Sequence, residues 1–192
     1  MSFHNYSQLV TPHPNKQYVT GKEIATGGLL PDAIYSQALD TLVIACVDIL
    51  PVHGERILLG RRSWEPQQDW WCFGGRMRKG ELYQIAAQRN ALRELFCDTE
   101  KIEIDPDRFT LIGIYNLLWD TRAQAPTENG CHMISITMML PLTENEIPFL
   151  CPNEEYHDVQ WALPDEITSR ADIYHPCLIQ MIRDASTQRG FY

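Results

Sequence analysis

The chain has 192 residues, 44% of them hydrophobic and 21% charged, and a formal net charge of −9, which suits one compact domain with an ordinary buried core. That acidity excludes a nucleic-acid groove working by counterion release and leaves open a local basic pocket for a small anion. The polar N-terminus MSFHNYSQLVTPHPNKQYVT has no apolar signal-type core, and no run approaches the ~18 apolar residues of a membrane helix, so the expectation is a cytoplasmic protein without membrane contact.

Residues 1–39 read as an N-terminal arm and 40–192 as the domain. Through about residue 29 the arm is polar and broken by Pro12, Pro14, Gly21, Gly27 and Gly28, which predicts irregular backbone, followed by a short helix in PDAIYSQALD. LVIACVDIL (Leu42 to Leu50) and RILLGRR (Arg56 to Arg62), joined by PVHGE, predict a hairpin. SWEPQQDWWCFGG reads as a loop, a short strand and two glycines where the backbone bends or approaches a neighbour closely. Trp64, Trp70 and Trp71 either pack in the core or wall a ligand pocket, with at least one expected in the core. A helix follows from about Glu81 to Phe96, with Leu82, Ile85, Ala86, Leu92 and Phe96 on its buried stripe. Strands are expected in Phe109 to Leu118, His132 to Leu142 and His157 to Leu163, and a closing helix in Asp172 to Ala185. Strand and helix signals in this order predict a mixed sheet with helices on it. Six cysteines, Cys46, Cys72, Cys97, Cys131, Cys151 and Cys177, form no C-x-x-C pair and read as reduced, buried thiols.

One spacing carries chemistry. Gly75, Glu81 and Arg89 stand five and seven residues apart in GGRMRKGELYQIAAQRNALRELF, and this resembles the Nudix box, G-x5-E-x7-R-E-U-x-E-E-x-G-U with U aliphatic. The hairpin ending LLGRR, the aromatic pair before FGG and the late NEEYHDVQWALPDEI extend the resemblance over residues 40–165. It implies an α/β/α sandwich with a mixed β-sheet, and an ion pair between Glu81 and Arg89 that orders the loop. The box departs from its usual form where Asn90 and Arg93 replace two helix carboxylates and only Glu94 remains. Three carboxylates on one helix face would hold several Mg²⁺ ions; here Arg93 puts a cation among them, so multi-metal attack of water on phosphorus is not expected.

Within the family, the GDP-mannose mannosyl hydrolases show similar losses and a similar LGRRSWEPQQDWWCFGGR loop, and the His175 segment DIYHP resembles the start of their C-terminal helix. This chain departs from them in having Phe73 where a proline is usual, in lacking one loop residue, and around Glu155, where the branch has glutamine followed directly by its histidine base. The resemblance implies hydrolysis of a nucleoside diphosphate sugar, GDP-mannose or GDP-glucose, by attack of water on the anomeric carbon, in a homodimer whose arm reaches across the interface. It assigns Gly75, Glu94 and Glu155 to one Mg²⁺ or Mn²⁺, Arg62 and Arg76 with Tyr35 to the substrate, and His157, with Tyr156 as its rival, to activation of the water beside Arg76. Two alternatives stand: a pyrophosphohydrolase that borrows ligands such as Asp120, Glu128 or Glu154, and a non-catalytic ligand-binding module.

Overall fold

The computed structural model describes residues 10–20 and 25–189. Part of the expected arm, residues 1–9 and 21–24, lies outside them. The rest is more ordered than its prolines and glycines suggest: Val10–His13 (β1) and Gln17–Thr20 (β2) form an antiparallel hairpin. Its turn uses left-handed backbone at Asn15 (φ 59°) and Lys16 (φ 61°), a region asparagine tolerates well. The hairpin supplies what the first helix of the body lacks. Tyr83–Phe96 (α2, with Asp32–Thr41 as α1) has no side-chain cap of its own, and the Gln17 side chain accepts from the Tyr83 amide at 2.9 Å while donating to Gln84 at 3.0 Å. An otherwise unpartnered helix-end donor is thereby satisfied from far away in the sequence.

The predicted hairpin is present as Ile44–His53 (β3) and Arg56–Arg62 (β4), turning at Gly54, but the strands pair only at Val52, His53, Arg56 and Ile57 and then diverge. The remaining strands are Trp70–Trp71 (β5), Phe73–Arg76 (β6), Thr110–Trp119 (β7), Cys131–Pro141 (β8) and Tyr156–Ala162 (β9). β3 runs antiparallel to β6 and parallel to β8, β8 continues to β7, and β4 takes β9 and β5. The sheet is therefore mixed.

Period-two alternation splits each central strand between two cores. Val47, Ile49, Leu58, Phe73, Met138 and Leu140 pack with α2, whereas Leu50, Val52, Ile57, Leu59 and Met139 pack with Pro164–Thr168 (α3) and Pro176–Arg189 (α4). Burial on both faces is why the β3 sequence reads as nearly continuous apolar, and the result is the expected α/β/α sandwich. The α2 stripe is rotated from the expected one: Ile85 is 41% exposed, and the packed face is Ala86, Ala87, Ala91, Leu95 and Phe96. Small residues let the helix lie close to the sheet, and Asn90 and Glu94 are carried into the interior with them.

All six cysteines are free; Cys46, Cys72 and Cys131 are buried as expected and Cys177 partly so, while Cys97 and Cys151 are exposed. Cys97 takes left-handed backbone (φ 49°) at the end of α2, which turns it out of the core. Trp71 is the core tryptophan, its ring 5.8 Å from Trp119 and 5.5 Å from His175 in edge-on contacts; Trp64 is 55% exposed. Among the described residues no helix is long and apolar enough to cross a membrane.

Candidate functional site

The glycine pair brings β6 against β3. At Gly74 (φ 153°) a Cβ would stand 2.4 Å from the Val47 carbonyl oxygen and 2.6 Å from an Asp48 carboxylate oxygen, so only glycine fits. The loop after it is braced by the predicted ion pair. Arg89 grips Glu81 through two bonds of 2.6 and 2.9 Å and also donates to the Arg76 carbonyl (2.9 Å) and the Asn90 side-chain oxygen (2.7 Å). Asn90, fully buried, then donates to the carbonyls of Gly75 (3.0 Å) and Val47 (3.2 Å). Its amide is committed to joining helix, loop and strand.

Glu94 is fully buried and accepts from the Gly74 amide (2.7 Å), the Tyr156 hydroxyl (2.5 Å) and Arg93. Burial pushes its carboxyl above the usual range, against the opposing pull of Arg93. Glu155 lies farther out, 3.7 Å from Arg62 and 3.8 Å from Arg93. The Arg76 guanidinium sits 3.7 Å over the ring of Tyr35, a cation–π contact that fixes where it points. Burial pushes the Tyr35 hydroxyl up to about 12.

Of these groups Tyr35, Gly75, Arg76, Asn90, Arg93 and Glu155 border one cavity of about 390 Å³, whereas Glu94 and Glu81 are not among its lining residues. Arg62, Arg76, Arg78, Arg89, Arg93, Asp48 and Gly75 line its polar side; Leu39, Cys46, Leu117, Trp71, Trp119 and Met133 line its apolar side, and Trp64 stands among the lining residues. Three of the arginines, Arg62, Arg78 and Arg93, have a buried Nε with no hydrogen-bond partner among the described residues. A buried donor left unpaired is expensive; the concentration of arginines around one cavity is what suits an anion.

Sequence reasoning missed two residues here. Asp48 is 7% exposed and accepts a 2.6 Å bond from the Ser135 hydroxyl, itself 3.0 Å from Thr137, and burial raises its pKa to about 6. The signal was visible: a lone carboxylate inside an apolar strand is rarely there for packing. Arg122, 1% exposed, binds Asp40 (2.8 Å), Ser36 (2.9 Å) and the carbonyls of Gly130 (3.1 Å) and Gln124 (3.0 Å), clamping α1 to the loop between β7 and β8. No local motif marked it. Arg122→Ala removes the four bonds of a buried guanidinium, although exposed Asp40 keeps its bond from Asn129, and is expected to lower stability by about 1–3 kcal/mol and to loosen the α1 wall, checked by urea unfolding and by faster proteolysis within residues 25–41.

Several residues expected in the site lie elsewhere than around the cavity. Tyr156 does not face the cavity: it packs on Phe73, its hydroxyl donates to Glu94, and burial holds its proton far more tightly than usual, the opposite of what a base needs. His157, its neighbour on β9, points the other way, is exposed, and bonds Ser63 Oγ at 2.9 Å outside the cavity lining. Of the alternative ligands, Glu154 lines the cavity, whereas Asp120 and Glu128 do not.

The expected Mg²⁺ or Mn²⁺ does not fit the residues as arranged. One nitrogen of Arg93 contacts Glu94 and lies within ion-pair distance of Glu155, and Asn90 occupies the Gly75 carbonyl. No cluster of three or more His, Cys, Asp or Glu suited to a metal occurs among the described residues.

A family model described as NUDIX domain matches residues 41–184. The chain belongs to the Nudix family. Solved structures bear out the Nudix fold. The C. elegans Ap4A hydrolase binary complex aligns with TM-score 0.53 at 15% identity, covering 78% of this chain and 100% of that one. A Nudix hydrolase from Nitrosomonas europaea aligns with TM-score 0.54 at 19% identity over 76% and 90%, and the E. coli dihydroneopterin triphosphate pyrophosphohydrolase with TM-score 0.51 at 17% over 72% and 91%. At such identities the likeness concerns the Nudix fold alone.

Proposed function

We propose that this Nudix protein is a hydrolase of a nucleoside diphosphate sugar, GDP-mannose or GDP-glucose, and that it cleaves the sugar C–O bond. The observation that carries the reading is the set of arginines, Arg62, Arg76, Arg78 and Arg93, that line one cavity together with Asp48. The arginines bind the diphosphate and stabilise the charge that builds on it as it leaves, a task suited to fixed donors in a site shielded from water. Arg76, oriented by Tyr35, belongs to this group. Asp48 takes a proton from the water that attacks the anomeric carbon. The new bond joins that oxygen to carbon, the old sugar C–O bond breaks, and the nucleoside diphosphate leaves whole with both bonding electrons. A buried carboxylate titrating near neutrality suits a general base. Trp64, exposed at the edge of the cavity, offers a face for stacking the base.

The related proteins named above include an Ap4A hydrolase and a triphosphate pyrophosphohydrolase, and attack on phosphorus is the competing outcome. Hydrolysis of GDP-mannose and GDP-glucose in isotopically labelled water separates the two. Label in the free sugar with unlabelled nucleoside diphosphate is expected; label in a nucleoside monophosphate or a sugar phosphate overturns the reading.

A further inference from the structure

Arg93 occupies a box position where the family pattern has a carboxylate, and the geometry around it is that of a cation site already filled. Its Nη2 contacts Oε1 of Glu94 and lies 3.8 Å from Oε1 of Glu155, the two acids that a divalent ion would share. The two acids are held together independently of it, because the Asn153 amide, two residues before Glu155, donates to the backbone carbonyl of Glu94 at 3.1 Å. The other Glu94 oxygen is taken by the Gly74 amide and the Tyr156 hydroxyl. Meanwhile the Arg93 side chain is 37% exposed, lines the cavity, and keeps its buried Nε without a partner among the described residues.

We propose that Arg93 is the resident cation of this site and takes the place of a divalent ion, so that the cavity binds a diphosphate group without metal. This rests on reading the cavity as a diphosphate site. A guanidinium is permanently charged and planar, and its fork can engage carboxylates on one edge and phosphate oxygens on another. Mg²⁺ demands near-octahedral oxygen ligation, and here the acids offer it oxygens already engaged by donors, beside a fixed positive charge. Arg62, 3.7 Å from Glu155 and also carrying an unpaired Nε, supports the same arrangement from β4.

The test uses the intact protein freed of metal by a chelator, with inorganic pyrophosphate as the probe. Calorimetry should show pyrophosphate binding in chelator with no added metal, and Mn²⁺ alone should give no bound-ion signal by electron paramagnetic resonance. Arg93→Glu should lose about ten- to hundredfold in pyrophosphate affinity in chelator, the span expected for a charge-assisted hydrogen bond, and should gain Mn²⁺ binding through the freed acids. Arg93→Lys, which keeps the charge and loses the fork, should fall between and still bind no Mn²⁺; it guards against an Arg93→Glu protein that fails to fold. Pyrophosphate binding that requires Mg²⁺, tight Mn²⁺ binding by the unaltered protein, or unchanged pyrophosphate affinity in Arg93→Lys overturns the proposal. Pyrophosphate has no sugar, so these outcomes are independent of which bond the protein cleaves in a nucleotide sugar.

Discussion

Asp48→Asn is expected to lower kcat by about 10²- to 10⁴-fold, the span of general-base catalysis, and at the same time to stabilise the fold above neutrality. Burial lifts the Asp48 carboxyl from 3.8 to about 6. In the folded protein the acid therefore holds its proton more tightly than in the unfolded chain. Its favourable contribution is complete below about pH 4, declines as pH rises, and is gone above about pH 6, where the buried charge is carried at a penalty. That difference corresponds to roughly 3 kcal/mol. Asparagine keeps an oxygen for the Ser135 hydroxyl and carries no charge, so the variant should gain on the order of 2–3 kcal/mol at about pH 8 and little at about pH 4. Urea unfolding at the two pH values measures the gain, and turnover on the nucleotide sugar measures the loss. A destabilised variant at high pH contradicts the electrostatic account; undiminished turnover removes Asp48 from the reaction.

The second large effect is expected at Glu94. Glu94→Gln puts a donor in place of one carboxylate oxygen, facing either Arg93 or both the Gly74 amide and the Tyr156 hydroxyl, and it takes from Arg93 its closest counter-charge. Leaving such groups unpaired costs about 2–4 kcal/mol, less than for a fully buried ion pair because Arg93 is partly exposed and can turn to Glu155 and water. Loss of position at the glycine loop and at Arg93 should reduce kcat by at least about 10²-fold. Thermal unfolding and steady-state kinetics check both. A stable, fully active Glu94→Gln protein would show that the acid holds neither.

Much of this was legible in the sequence where local signals dominate. The β3–β4 hairpin, the glycine pair and α2 follow from apolar runs, a tight turn and a helix-length pattern. What was lost depends on contacts between distant residues. The β1–β2 hairpin looked irregular because its order comes from Gln17 meeting α2, 66 residues away. Apolar periodicity favours large residues and puts Ile85 on the buried stripe, whereas the packed face combines Ala86, Ala87 and Ala91 with Leu95 and Phe96. Tyr156 and His157 were rivals for one role; strand alternation on β9, with a register shift opposite Arg61 and Arg62, turns one inward behind Glu94 and the other outward to Ser63. Arg122 is an ordinary surface residue by type, and only its four partners make it interior.

The helix α1, described above as one wall of the cavity, ends at Thr41, where the family match begins. The arginines and Asp48 thus lie within the matched region, whereas Tyr35 and Leu39 belong to a separate cassette clamped on through Arg122 and Ser36. On the proposed reading, the α1 wall of the pocket and the groups assigned to the chemistry are therefore encoded by different stretches of chain. Exchanging the rest of residues 25–41, with Tyr35 kept beneath Arg76 and Ser36 and Asp40 kept for the Arg122 latch, changes this wall while leaving the arginines and Asp48 in place.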